Sequence, residues 1–174
     1  FGDGAGAAVL SREEDNSKGI LSTHLHSEGK FAEELVVKSP SIKHWVPQLI
    51  EENNNTDPDY FPYMNGQLVF KNAVVRFDEV INEGLSKNNL KATDIDLFIP
   101  HQANLRISQF VQRRFRLRDD QVFNNITEFG NTTAASIPIA LTQAWEQGKV
   151  KSGDLVVLAT VGSGFTWGSA IIRW

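Results

Sequence analysis

Residues 155–160 read LVVLAT, an uncharged run with no apolar–polar alternation. A run this short is a strand rather than a helix. Without alternation, both of its faces must be covered. Asp154 precedes it and Gly162-Ser163-Gly164 follows it, so turn chemistry bounds the run on both sides. A strand buried on both faces needs helices above and below a sheet, and the rest of the chain supplies them. Residues 67–87 place Phe70, Ala73, Val74, Phe77, Val80, Ile81 and Leu85 at helical spacing, with Asn88-Asn89 ending the pattern. Residues 96–100 (DLFIP) read as a second buried strand. Residues 104–117 read as a helix through Leu105, Ile107, Phe110, Val111 and Phe115. A third helix is expected from Thr132 or Thr133 to about Gly148, with a threonine as N-cap and Pro138 in its early turns. Residues 122–125 are a brief strand or turn, residues 162–168 a glycine-rich turn, and residues 169–174 a closing strand. Alternating strands and helices give an α/β layered fold with helices on both faces.

The N-terminal third is less regular. Residues 1–10 (FGDGAGAAVL) open abruptly and read as a strand cut off from something upstream, with Gly and Ala admitting a close neighbouring backbone. Their likeness to a nucleotide-binding glycine loop is weak, because a polar turn and not a helix follows. Residues 19–25 (GILSTHL) read as a strand returning on the first in a hairpin. Residues 27–65 are polar and broken by Pro40, Pro47, Pro58 and Pro62, with a short helix expected at 42–51.

Composition narrows the chemistry. The chain of 174 residues has no Cys, so it holds no disulfide, no cysteine–zinc site and no thiol nucleophile of its own. Zero Cys also fits a reducing compartment. A net charge of −4 gives no general attraction to nucleic acid or membrane. No apolar run approaches the ~20 residues of a membrane span.

Three junctions carry candidate chemistry. Pro100-His101-Gln102-Ala103-Asn104 lies where a strand gives way to a helix, the position at which α/β sheets gather their sites. His101 there is either a hydrogen-bond donor to substrate or a buried structural histidine. Gly130-Asn131-Thr132-Thr133 lies at a second loop-to-helix junction, where Asn131 is either a neutral amide donor or a cap. Gly162-Ser163-Gly164 is either a turn or a place where backbone N–H groups form an oxyanion hole. Taken together, a neutral His and Asn suit one chemistry above others. Both can hydrogen-bond a thioester carbonyl as it becomes an enolate, which promotes decarboxylation of a malonyl group without a metal.

His24 and His26 share one side of a strand, a spacing that permits a metal, but no Cys supports them and a structural pair is the simpler reading. Glu33-Glu34, Glu51-Glu52 and Asp119-Asp120 read as solvated faces, and Ser163 lacks the context of a nucleophile elbow. Arg106, Arg113, Arg114, Arg116 and Arg118 crowd one helix and its end. They form either a docking patch for an acidic, phosphate-bearing partner or a solvated surface.

At these residues the chain resembles the C-terminal half of a β-ketoacyl-acyl-carrier-protein synthase III, a thiolase-fold condensing enzyme. The stretches that carry the resemblance are FGDGAGAAVL, STHLHSEG, NGQLVFKNAV, PHQANLRI, FGNTTAASIPIAL and GSGFTWGSAIIRW, and they cover nearly the whole chain. The resemblance implies a Cys–His–Asn triad in which His101 and Asn131 are the last two members and the Cys comes from an N-terminal half. It further implies that the Ser163 N–H forms part of the oxyanion hole. Gly66, Phe70, Ala103 and Asn104 then line the pantetheine tunnel, and Lys71, Arg106, Arg113 and Arg114 receive an acyl carrier protein.

The expected organisation is closing strands and junction at 1–26, a loop-rich insertion near the tunnel entrance at 27–65, of which Ser39–Tyr63 looks longer than the compact family form, and the C-terminal thiolase-like domain at 66–174. The expected reaction is condensation of a short acyl-CoA with malonyl-acyl-carrier-protein, without cofactor, in a cytoplasmic homodimer. These 174 residues alone are expected to be inactive. Two alternatives remain: a related acyltransferase of secondary metabolism, and a non-catalytic subunit that only binds the carrier protein.

Overall fold

The computed structural model describes residues 1–38, 59 and 61–174; the helix expected at 42–51 lies outside them, as does Glu51-Glu52. Four strands form the main sheet: β1 (Gly19–Ser27), β4 (Leu97–Pro100), β5 (Leu155–Gly162) and β6 (Thr166–Arg173), in the order β1-β6-β5-β4. Strands β4 and β5 run parallel, whereas β6 runs antiparallel to both of its neighbours. A two-stranded ribbon of β2 (Leu35–Val36) and β3 (Tyr63–Met64) stands beside it. The helices are α1 (Gly66–Lys87), α2 (Leu105–Phe115), the single turn α3 (Ile126–Phe129) and α4 (Ser136–Glu146).

The LVVLAT run occupies β5, between β4 and β6. Leu155, Val157, Ala159 and Val161 point to one face, joining Phe98 of β4, Ile171 of β6 and the buried stripe of α1, which includes Ala73, Phe77, Val80, Ile81 and Leu85. Ile107, Val111 and Phe115 of α2 complete that cluster. Val156, with Leu97 and Ile99 of β4, points to the opposite face against Ala140 and Ala144 of α4. The missing alternation in β4 and β5 thus has its cause in two filled layers. Phe77 meets Phe98 edge to face, centroids 6.5 Å apart, and locks α1 onto the sheet. Asn65 caps α1 by accepting from the Leu68 N–H, and Asn89 in the left-handed region (φ 57°) ends it.

Four expectations need correction. Residues 1–10 form no strand. Gly2, Gly4 and Gly6 instead lie against Phe129, Thr132, Pro138 and Ile139, so closely that a Cβ on Gly6 would sit 2.3 Å from Pro138 Cγ. Glycine and alanine offer little side chain to stabilise a strand. Second, β1 does not return on residues 1–10; it pairs with β6 along its length. A bulge at Leu21 turns that side chain toward the core. Third, the turn between β5 and β6 is only Ser163 to Phe165, because Trp167 and Gly168 pair with Val161 and Thr160. Fourth, neither Thr132 nor Thr133 caps the third helix: a 3-10 turn (Thr133–Ala135) leads into α4, with no side-chain cap from Thr132.

Candidate active site

Because β4 and β5 are parallel, their carboxyl ends lie at the same edge of the sheet, and the candidate residues follow directly from that edge. The His101 N–H donates to the Ala159 carbonyl (2.8 Å), extending the parallel ladder by one residue beyond Pro100. The chain then turns, with the Ala103 N–H on the His101 carbonyl, and enters α2. Asn104 is the N-cap of that helix: its Oδ1 accepts from the Arg106 N–H at 2.9 Å.

Gln102 braces this corner. Only 2% exposed, it donates from Nε2 to the Pro100 carbonyl (2.8 Å) and accepts at Oε1 from the Asn125 and Ile126 N–H groups (3.0 and 3.2 Å). One side chain therefore ties the end of β4 to the start of α3, the turn that delivers Gly130 and Asn131. Gly130 adopts φ 69° and ψ −159°, a conformation open to glycine and costly for other residues. Asn131 then accepts at Oδ1 from the Thr133 N–H (2.9 Å), and its carbonyl accepts from the Gly2 N–H (2.9 Å). The bond to Oδ1 fixes the plane of the Asn131 amide and so orients its NH2 group, the donor end of the side chain.

The two junctions meet through Ser136, the first residue of α4. Its Oγ lies 2.6 Å from His101 Nδ1 and accepts from the Gln102 N–H at 3.3 Å. Burial pushes the His101 imidazole below its ordinary pKa, which favours the uncharged ring. The arrangement therefore holds a neutral imidazole beside a loop carrying a neutral amide donor, the chemistry suited to an oxyanion that must not be quenched by a proton.

The other expected residues are placed as follows. Ser163 is exposed in the β5–β6 turn; its hydroxyl donates to the Leu35 carbonyl and its own carbonyl accepts from the Thr166 hydroxyl (3.0 Å). Gly66 is the exposed first residue of α1, Phe70 is half-buried against the first core cluster, and Ala103 is half-buried beside His101. Asn104 is exposed, with its amide oxygen committed to the cap. Lys71, Arg106 and Arg113 are exposed on α1 and α2, whereas Arg114 reaches across to α1, Nε 2.8 Å from Asp78 Oδ1. Arg118 pairs with Asp120 (3.0 Å), so two members of the arginine cluster are held in ion pairs among the described residues.

His24 and His26 both turn to Glu83 of α1, Nδ1 to Oε1 at 3.4 Å and Nε2 to Oε2 at 2.6 Å. The hydrogen bond from His26 chiefly holds the Glu83 carboxyl below the usual range. Among the described residues no group of three or more His, Cys, Asp or Glu side chains is arranged to hold a metal. The pair ties β1 to α1. Ser136 and Gln102 are the residues that sequence reasoning missed. Gln102 stands inside the first junction and Ser136 three residues past the second, but their roles depend on contacts 34 and 23 positions away.

Comparison with known proteins gives the family and the fold. Residues 85–174 match the model of 3-oxoacyl-(acyl-carrier-protein) synthase III, C terminal, and residues 1–29 match that of 3-oxoacyl-(acyl-carrier-protein) synthase III. The beta-ketoacyl-acyl-carrier-protein synthase III of Rhodospirillum centenum is 44% identical over 178 residues, covering 100% of this chain and 51% of the relative. That of Alkalilimnicola ehrlichii is 45% identical over 174 residues, with the same coverage. The crystal structure of 3-oxoacyl-(acyl-carrier-protein) synthase III from Aquifex aeolicus superposes with a TM-score of 0.80 at 37% identity, over 94% of this chain and 47% of that one. The corresponding Pseudomonas aeruginosa structure gives 0.80 at 32% identity. The fold is thus a thiolase-like layered α/β arrangement, and the chain spans about half the length of the relatives it matches.

Proposed function

The chain belongs to the 3-oxoacyl-(acyl-carrier-protein) synthase III family, and from that premise we propose that it supplies the His and Asn of a condensing acyltransferase that starts fatty-acid synthesis. In this reading a cysteine thiolate from the part of the family's length outside these residues attacks a short acyl-CoA, and the CoA thiolate leaves. Malonyl-acyl-carrier-protein then binds. Its carboxyl C–C bond breaks, carbon dioxide departs, and the electron pair enters the thioester as an enolate. His101 and Asn131 donate hydrogen bonds to that enolate oxygen. The enolate carbon attacks the cysteine thioester, a C–C bond forms and the thiolate is released, giving a β-ketoacyl carrier protein. No step requires a cofactor. The Ser163 N–H contributes to the oxyanion hole for the cysteine thioester.

The observation that carries this reading is the paired arrangement at the sheet edge: a half-buried imidazole whose charge burial disfavours, joined through Ser136 to the loop of an asparagine whose amide oxygen is already engaged. Gly66, Phe70, Ala103 and Asn104 are proposed to line the path of the pantetheine arm. Lys71, Arg106, Arg113 and Arg114 are proposed to receive the acidic carrier protein; the exposure of the first three and the position of two at the end of α2 support this. We place the working enzyme in the cytoplasm as a homodimer, with the divisions 1–26, 27–65 and 66–174.

The deciding experiment is His101→Ala and Asn131→Ala in the intact protein, with malonyl-carrier-protein decarboxylation measured directly. Loss of one oxyanion donor lowers the rate by about 10²–10³, and that is the expected result for each variant. An unchanged rate overturns the catalytic reading in favour of a subunit that only binds carrier protein. Product identity with malonyl and non-malonyl acceptors separates the remaining alternative: a condensation or ester product formed only with a non-malonyl acceptor assigns the chain to secondary-metabolite chemistry.

A further inference from the structure

We infer that Ser136 is a positioning residue that holds the His101 imidazole in the tautomer bearing its hydrogen on Nε2, an inference that rests on the role proposed above for His101. The argument is one of counting protons at a buried oxygen. Ser136 is 2% exposed, and among the described residues its Oγ has two partners: the Gln102 N–H at 3.3 Å and His101 Nδ1 at 2.6 Å. A backbone N–H can only donate, so Gln102 takes an acceptor lone pair of the serine oxygen. The serine hydroxyl hydrogen then goes to the remaining neighbour, Nδ1, which must present a lone pair to receive it. Were Nδ1 protonated, the oxygen would accept from both sides and its own hydrogen would be buried without an acceptor, the costly outcome for a polar group.

With Nδ1 accepting, the single ring hydrogen of a neutral imidazole sits on Nε2. Gln102 contributes twice. Its backbone orients the serine, and its side chain fixes the loop carrying Asn131 through the Asn125 and Ile126 N–H groups. Nε2–H and the Asn131 NH2 are then both neutral donors whose direction is set before substrate arrives, the condition under which hydrogen bonds stabilise developing charge most effectively. The alternative tautomer would present a lone pair from Nε2 to the enolate oxygen and would repel it.

The test begins on the unmodified intact protein. Nitrogen NMR of 15N-histidine-labelled material, with His101 assigned through His101→Gln, reads the tautomer without any assay of turnover. A pyridine-type signal for Nδ1 and a pyrrole-type signal for Nε2 are expected; the reverse assignment overturns the inference whatever the variants do. Ser136→Ala should mix the two tautomers and lower kcat for decarboxylation by about 10–100-fold with KM for malonyl-carrier-protein little changed. Ser136→Thr, which keeps the hydroxyl, should restore most of the rate and the single tautomer. A fully active Ser136→Ala with the Nε2–H tautomer intact would equally refute the serine's role. Failure of the proposed function is distinguishable: His101→Ala would then decarboxylate normally while the wild-type tautomer stayed as stated.

Discussion

Replacing Gln102 by Met tests how the site is braced. The side chains are similar in volume, so the change removes hydrogen bonds without opening a large cavity. Three bonds of good geometry are lost: Nε2 to the Pro100 carbonyl at 2.8 Å, and Oε1 from the Asn125 and Ile126 N–H groups at 3.0 and 3.2 Å. A fourth contact, from the same Nε2 to the Phe123 carbonyl at 3.4 Å, is the weakest of the set and is left out of the sum. Pro100 and Asn125 are buried, so their backbone groups have no water to turn to; Ile126 is half-exposed and can recover one. Two stranded groups at about 1–3 kcal/mol each give about 2–6 kcal/mol. Burying a thioether in place of an amide returns about 1 kcal/mol, which leaves a net loss of about 3 kcal/mol. With a urea m-value of about 2 kcal/mol per molar, the unfolding midpoint falls by about 1.5 M, read by tryptophan fluorescence at one fixed protein concentration. Folded variant should also lose decarboxylation, because the loop from Asn125 to Asn131 is no longer held. A midpoint shift under about 0.3 M would refute the claim that this glutamine joins β4 to α3.

A Cβ on Gly168 would lie 2.7 Å from Leu25 Cδ2 and 2.8 Å from the His24 carbonyl oxygen. Leu25 is 81% exposed and can swing aside, but the carbonyl belongs to β1 and cannot. Gly168→Ala should therefore cost about 1–3 kcal/mol and lower Tm by about 5 °C; an unchanged Tm contradicts the β1–β6 register. The His101 imidazole titrates below its ordinary 6.5 because burial disfavours its charge. The unfolded chain then binds the proton first, so this contribution to stability is complete above about pH 6.5 and declines as pH falls below it. The stability difference between wild type and His101→Gln should change between pH 7.5 and 5 in that direction, measured by urea midpoints; a constant difference refutes the buried neutral ring. Arg113→Glu with Arg114→Glu should raise the apparent KM for malonyl-carrier-protein and weaken its salt dependence, whereas an unchanged KM removes the docking surface.

Much of this architecture is legible in one sequence because the signals are local. The LVVLAT run and the stripe of residues 70–85 report how many of their faces are buried, and β5 and α1 follow from that alone. Where sequence and structure differ, the deciding partner lies far away in the chain. Residues 1–10 have the small side chains of a close-packed segment and do pack closely, but against Pro138 and Thr132 rather than as a strand. The turn after β5 is shorter than its glycines suggest, because Gly168 resembles loop sequence while its real role is to admit the β1 backbone. Gln102 and Ser136 escape a sequence reading for the same reason. Periodicity reports burial, but nothing in it says which backbone group a buried amide or hydroxyl will meet.

At Asn131 the two competing readings of the residue are compatible. An asparagine before a helix is ordinarily a turn residue, and its Oδ1 does accept from the Thr133 N–H. That bond engages one lone pair of the oxygen and fixes the side-chain plane, which orients the NH2 at the other end as a donor. His101 follows the same logic from the other side: Ser136 occupies Nδ1 and leaves Nε2 as the outward nitrogen. In each case a local structural bond engages one end of a two-ended polar group and directs the other. A structural role and a chemical role are therefore not alternatives at this site, and a variant that keeps the outward donor while removing the inward bond should lose rate before it loses fold.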